Sequence, residues 1–187
     1  MNNAGIASGK SILDKTEDQI RKTFEVNTLA HLFTIREFLP DMIRLNKGHV
    51  VSICSLAGTV AIPGLADYSA SKFGAFAIDE CLRLEMKKSN YNIKTTCICP
   101  YYINTGMFEG VESKWFAPVL DQNWVVWRTI TALRQNESVV LMPWHTNFYF
   151  IGRGFFPTWF GDGVFKLFGA LEQMDSFVGR KPAAVSH

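Results

Sequence analysis

Two short apolar runs constrain this chain more than any other feature. His49–Cys54 reads His-Val-Val-Ser-Ile-Cys, and Ile93–Cys99 reads Ile-Lys-Thr-Thr-Cys-Ile-Cys. The first is β-branched, too short for a helix, and bounded by Gly48 and the Ser55–Gly58 turn, which predicts a strand buried on both faces. The second is stopped by Pro100. A helical pattern precedes each. Ile20, Phe24 and Asn27 share one face, continued by a stripe of Leu32, Ile35 and Leu39. Phe73, Phe76, Ala77, Cys81 and Leu84 supply the apolar faces of a helix from Asp67 to about Lys88. Helix, strand, helix, strand predicts an α/β fold with a parallel sheet and right-handed crossovers.

The flanking signals agree. Asn2–Gly9 is a turn-rich start, placed as though a strand should have delivered the chain there. Thr16 and Gln19 fit a capping box, with Glu17 and Asp18 in the first helical turn. Pro40 predicts a bend or a fresh turn, and Asn46 with Gly48 a helix stop. After a loop over 101–115, a helix is expected at about 118–134 and a last strand at 138–142. The remainder is aromatic and broken by glycines, including Phe148-Tyr149-Phe150 and Phe155-Phe156-Pro157-Thr158-Trp159-Phe160. The division expected is 1–143, carrying the sheet, and 144–187, an aromatic extension serving as substrate lid or membrane contact.

Composition narrows the function classes. The 187 residues make one domain's worth of chain, and a net charge of +2 without a basic stripe gives no case for nucleic acid. Cys54, Cys81, Cys97 and Cys99 lie in apolar runs at spacings that match neither a zinc site nor a disulfide framework. Reduced core cysteines in a reducing compartment are expected. Neither a signal peptide nor a spanning helix of about 18 apolar residues is evident.

The stretch from Ser55 to Lys72 carries the chemistry. Tyr68 and Lys72 are four positions apart and project from one helical face. A Gly/Pro-bearing loop allows Ser55 to fold back over that face. Tyrosine has a reference pKa of about 10, so carrying a phenolate at pH 7 costs roughly 4 kcal/mol. A nearby ammonium lowers such a pKa by roughly one to three units, which predicts that Lys72 tunes Tyr68 as a proton carrier. Ser55 would orient an alcohol or carbonyl oxygen. No side chain is a hydride source, so a redox reaction needs a nicotinamide cofactor.

These residues and their neighbours resemble the short-chain dehydrogenase/reductase family from its fourth strand's end onward. Asn2-Asn3-Ala4-Gly5 is similar to a motif that supports the sheet and borders the cofactor. Glu25-Val26-Asn27 is similar to the helix motif whose asparagine completes a catalytic tetrad through a water relay to the lysine. Ser55, Tyr68 and Lys72 match the other members in order and at similar spacing. Pro100 and Thr105 match a motif contacting the nicotinamide carboxamide, which also implicates Ile103. The resemblance therefore implies catalytic Asn27, Ser55, Tyr68 and Lys72. It implies cofactor contacts at Asn3, Ala4, Gly5, Tyr68, Lys72, Pro100, Ile103 and Thr105, with NAD or NADP as cofactor. The implied fold is the C-terminal part of a Rossmann-like, doubly wound parallel sheet. The first strands and the Gly-rich phosphate turn are missing before Asn2.

Tyr101 stands where the family usually has glycine. That is normal in the subgroup the chain most resembles, the membrane-associated retinol and hydroxysteroid dehydrogenases. The likeness to that subgroup lies in Asp67–Gly74, Lys94-Thr95-Thr96, Cys99-Pro100-Tyr101 and Thr105–Phe108. It implies lipophilic alcohols and carbonyl compounds (retinoids, steroids or other lipids) as substrates, held by Ser55, Met107 and Phe108. Met107, Phe108, Trp115 and Phe116 suit either an apolar lid or ordinary packing. The aromatic extension has three readings: packing on the domain, covering the cleft, or lying in a membrane interface, the last favoured by the subgroup. The subgroup implies the cytosolic side of the endoplasmic reticulum membrane or a lipid droplet; packing on the domain implies the cytoplasm. A homodimer through the family's two dimerising helices is also implied. The activity expected is an NAD(P)-dependent oxidoreductase. The alternative is a catalytically inactive truncated form acting through protein interaction.

Overall fold

The computed structural model describes residues 1–111, 118–152, 154–167 and 169–179. The Thr16 hydroxyl accepts from the Gln19 amide, and the Gln19 side chain accepts from the Thr16 amide. This capping box starts α1 (Glu17–Phe24) as expected. A π-turn, Glu25–Leu29, then widens the helix before α2 (Ala30–Leu45), turning Asn27 fully inward. Pro40 does not end α2, which runs on to a left-handed cap at Asn46. Ile35 and Leu39 pack onto a buried cluster of Val50, Leu82, Met86 and Ile93, whereas Leu32, expected in the same stripe, is exposed. The extra residue per turn in the π segment shifts the phase of the inward face.

The strands β1 (Gly48–Ile53), β2 (Ile93–Pro100) and β3 (Val139–Met142) form a parallel sheet in that order. β1 leads through a 3-10 turn, Leu56–Gly58, into α3 (Ala66–Lys88). β2 leads to α4 (Gln122–Gln135), which starts later than the sequence pattern predicted because Asp121 caps it, accepting from the Trp124 amide. Pro100 ends β2 while still in register with Met142. Both sheet faces are covered. Val51, Ile98, Val140 and Met142 pack with Val125 and Ala132 of α4, while Cys97, Cys99 and Leu141 pack with Ala75 of α3. This alternation is why the strands read as nearly continuous apolar runs.

The chain's start is tied to the sheet edge. Asn2 bridges Ser52 in parallel: its amide donates to the Val51 carbonyl, and its own carbonyl accepts from Ile53. After β3 come two short helices, α5 (Thr146–Gly152) and α6 (Thr158–Leu167), in the aromatic stretch. Among the described residues no helix is long and apolar enough to cross a membrane. Of the cysteines expected in the core, Cys54, Cys97 and Cys99 are buried, but Cys81 is exposed on the outer side of α3.

Candidate active site

The carboxyl ends of β1 and β2 open onto a cavity of about 930 Å³. Ser55, Tyr68 and Lys72 line it, as do Asn3, Ala4, Gly5, Pro100, Ile103, Thr105, Met107 and Phe108. The structure thus gathers every predicted site residue onto one cavity except Asn27. Trp115 and Phe116 lie outside the described residues.

Each side chain is held for a local reason. Ser55 sits in extended backbone at the end of β1, where its hydroxyl accepts from the Ala57 amide at 3.1 Å and donates to the Pro100 carbonyl at 3.5 Å. Tyr68 lies in the first turn of α3, buried, with the ring of Phe108 edge-on at 5.7 Å. Lys72, one turn on, donates to the Ile53 carbonyl at 3.0 Å, and its ammonium stands 5.9 Å from the centre of the Tyr68 ring. Gly58 permits that arrangement: a Cβ there would meet the Lys72 carbonyl oxygen at 2.6 Å.

Asn27 is placed behind the wall rather than in it. Its side chain accepts from the Ile6 amide and donates to the Ile6 carbonyl, both at 2.9 Å, and donates to the Ser71 hydroxyl at 3.0 Å. Ser71 in turn donates to the Tyr68 carbonyl at 2.7 Å. Gly5 stands between the two polar groups. A Cβ at Gly5 would lie 3.3 Å from Lys72 Nζ and 3.6 Å from Asn27 Oδ1. The absence of that Cβ lets the Asn3–Gly5 backbone approach the lysine closely.

The electrostatics correct one expectation. Lys72 does not bring Tyr68 into a convenient range; burial pushes the phenol up to about 12, opposed chiefly by the Ser55 hydroxyl. The buried thiols Cys54 and Cys99 also raise it. Burial likewise lowers Lys72 below the usual lysine value, because its ammonium has left water for a carbonyl and a cavity. The pair suits a neutral phenol that donates a proton more than a standing phenolate.

Several contacts at the site were not foreseen. Asp67, at the start of α3, accepts from Lys15 Nζ, from the Thr23 hydroxyl at 3.0 Å and from the Tyr68 amide at 2.7 Å. This buried group fixes the turn that carries Tyr68. Its partners lie 52 and 44 residues away, so no local pattern announces it. Tyr102 adds an apolar wall, packing on Phe108 at 4.9 Å and on Tyr101 at 4.6 Å. Tyr101 accepts at its hydroxyl from Gln173 at 2.7 Å, tying the C-terminal stretch to the cavity rim. His145, Phe148, Tyr149 and Phe165 of that stretch also face the cavity.

The family model described as short chain dehydrogenase matches residues 1–115. Epidermal retinol dehydrogenase 2 of Mus musculus is 39% identical over 184 residues, 97% of this chain and 60% of that protein. The Homo sapiens protein of the same name is 40% identical over the same shares. The chain therefore spans about 60% of the length of these curated relatives. Among solved structures, a short chain dehydrogenase from Burkholderia cenocepacia in complex with NADP superposes with a TM-score of 0.69 at 25% identity, over 81% of this chain and 61% of that one. With a matching model over more than half its residues and a parallel sheet covered on both faces, this chain belongs to the short-chain dehydrogenase family.

Proposed function

We propose that the chain carries the catalytic half of an NAD(P)-dependent oxidoreductase that interconverts a lipophilic alcohol and its carbonyl compound. The observation that carries this reading is the convergence of Ser55, Tyr68 and Lys72 on one wall of a cavity otherwise lined by Phe108, Tyr102, Met107 and Phe148. Ser55 orients the substrate oxygen. Tyr68 exchanges a proton with it, and burial keeps the phenol protonated and ready to donate in the reducing direction. Lys72 holds its charge within reach of the tyrosine ring and of Gly5, and Asn27 secures the wall behind it.

The residues present fit the nicotinamide end of the cofactor. Asn3, Ala4 and Gly5 offer close backbone approach, Lys72 offers a donor, and Pro100, Ile103 and Thr105 line the same cavity. The cofactor supplies the hydride that no side chain can. The apolar lining fits a retinoid, a steroid or another lipid. In support, the relatives of 39–40% identity bear the name retinol dehydrogenase. Turnover of all-trans-retinol, measured as growth of reduced cofactor, is the direct test.

The aromatic stretch both covers the cavity and faces outward, with Trp144, Phe155 and Trp159 each at least 70% exposed. Contact with a lipid surface from the cytosolic side, delivering substrate to the cavity mouth, is part of the proposal. Failure to float with liposomes sinks that part alone. Dimerisation through the outer faces of α2 and α3, where Leu32, Phe33, Phe38 and Leu84 are exposed, is the corresponding reading for a second copy.

A second reading is favoured by one observation. Among the described residues the outer edge of β1 is met by Asn2 alone. On that reading this chain is inactive and works through a partner that covers the edge. Titrating NADH or NADPH while following tryptophan emission separates the two: saturable binding defeats the inactive reading.

A further inference from the structure

Three thiols meet beside the cavity, and none of them handles substrate in the chemistry just described. Cys54 follows the last residue of β1 and contributes to the cavity wall. Cys97 and Cys99, two apart on β2, present their sulfurs on the same sheet face. Cys97 Sγ donates to Cys54 Sγ at 3.2 Å, and Cys97 and Cys99 lie 3.7 Å apart. All three side chains are buried, and the Cys54 backbone is pinned to the neighbouring strand through the Ile98 carbonyl at 2.8 Å.

We infer that Cys54 and Cys97 form a redox-modification site, oxidised to an intramolecular disulfide by peroxide that enters through the substrate cavity. A disulfide needs its sulfurs about 2 Å apart, so the pair must close by only about 1.2 Å. Cys54 directly follows β1 and Cys97 lies on the adjacent β2, so the bond would tie neighbouring segments of the sheet. Cys97 and Cys99 share one strand, and bonding them would fold the strand on itself.

The order of attack follows from the surroundings. Cys54 opens on the cavity, and its thiol is held below the usual range, first by the Cys97 and Cys99 thiols and further by the Lys72 and His31 charges. Its thiolate attacks one peroxide oxygen; the O–O bond breaks, leaving a Cys54 sulfenic acid and hydroxide, which takes a proton to become water. Cys97 sulfur then attacks the Cys54 sulfur, the S–O bond breaks, and the second oxygen leaves as water with the Cys97 proton. Two thiols and one peroxide thus give one disulfide and two waters. In a reducing compartment, as the cysteine spacing predicts, such a bond would be transient and redox-sensing.

The bond draws on a segment that matters. Cys54 precedes Ser55, and Cys99 precedes Pro100, whose carbonyl accepts from Ser55. Closing the Cys54–Cys97 gap displaces backbone directly joined to Ser55, so oxidation and site geometry are coupled.

The test treats the reduced chain, in its Cys81→Ser form to exclude intermolecular pairing through the exposed thiol, with hydrogen peroxide and maps peptides without reduction. The expected result is a Cys54–Cys97 cross-link that reverses with dithiothreitol. It should vanish in Cys54→Ala and Cys97→Ala and persist in Cys99→Ala, with thermal melts confirming that each variant folds. No cross-link, a Cys97–Cys99 link, or a link surviving Cys54→Ala overturns the inference. The readout is a covalent bond, so it stands whether or not the chain turns over substrate.

Discussion

Replacing Gly58 by alanine should unseat Lys72. A Cβ at this position would stand 2.6 Å from the Lys72 carbonyl oxygen, 2.8 Å from its carbonyl carbon and 3.2 Å from its Cβ. The two nearest atoms are backbone inside a 23-residue helix and cannot swing aside. Ordinary contact begins at 3.4 Å, so the turn and α3 must part by about 0.8 Å. Overpacking of this kind costs about 1–3 kcal/mol. For a chain of this length each kcal/mol lowers the melting temperature by about 2–4 °C, so a fall of about 2–12 °C is expected. The matched control is Gly163→Ala in α6, where nothing lies within 4 Å of the new Cβ. There the helix gains about 0.5–1 kcal/mol, because alanine loses less backbone freedom than glycine. Thermal unfolding followed by circular dichroism reads both variants. If Gly58→Ala melts within about 1 °C of the parent, the close approach of turn to helix is wrong and so is the reason given for the position of Lys72.

Three further outcomes follow from the same geometry. Burial pushes the Asp79 carboxyl up to about 6 from an ordinary 3.8, so its contribution is fully present below about pH 4 and is lost as pH rises through 6. At pH 8 the ionised group costs about 3 kcal/mol, and Asp79→Asn should recover up to that amount at pH 8 and almost nothing at pH 4; equal destabilisation at both pH values in urea unfolding contradicts it. Thr16→Ala removes the capping box of α1 and should cost about 1 kcal/mol in the same assay. Gly5→Ala places a methyl 3.3 Å from Lys72 Nζ, the end of a flexible chain, so stability should change by less than about 1 kcal/mol while cofactor-induced tryptophan quenching weakens.

The parts legible in the sequence were those set by local pattern. The β-branched runs, the Tyr68–Lys72 spacing and the Thr16 cap are each decided within a few residues, and the sheet and α3 stand within one or two residues of where those patterns put them. The gathering of Asn3–Gly5, Ser55, Tyr68 and Pro100 around one cavity was legible through the resemblance, whose motifs mark the ends of parallel strands. What escaped depends on partners far away in the chain. Asp67 meets Lys15 and Thr23, Tyr101 meets Gln173, and Cys54 meets Cys97, none of which any periodicity encodes. The exposure of Leu32 was missed because a π-turn breaks the helical count ahead of it. The raised phenol of Tyr68 was missed because spacing reports a neighbouring charge but not the depth of burial, and burial dominates here.

The central claim is that Tyr68 moves the substrate proton in a nicotinamide-dependent reaction. The most direct measurement compares the parent chain with Tyr68→Phe under one set of conditions: NAD or NADP, all-trans-retinol, and reduced-cofactor absorbance as readout. Phenylalanine keeps the ring against Phe108 and removes only the hydroxyl, so the melting temperature should hold within about 3 °C. Turnover is expected in the parent, with a loss of about 100-fold or more in the variant, in the range usual for general acid–base groups. Turnover retained in Tyr68→Phe, or none in a parent that binds the cofactor, contradicts it.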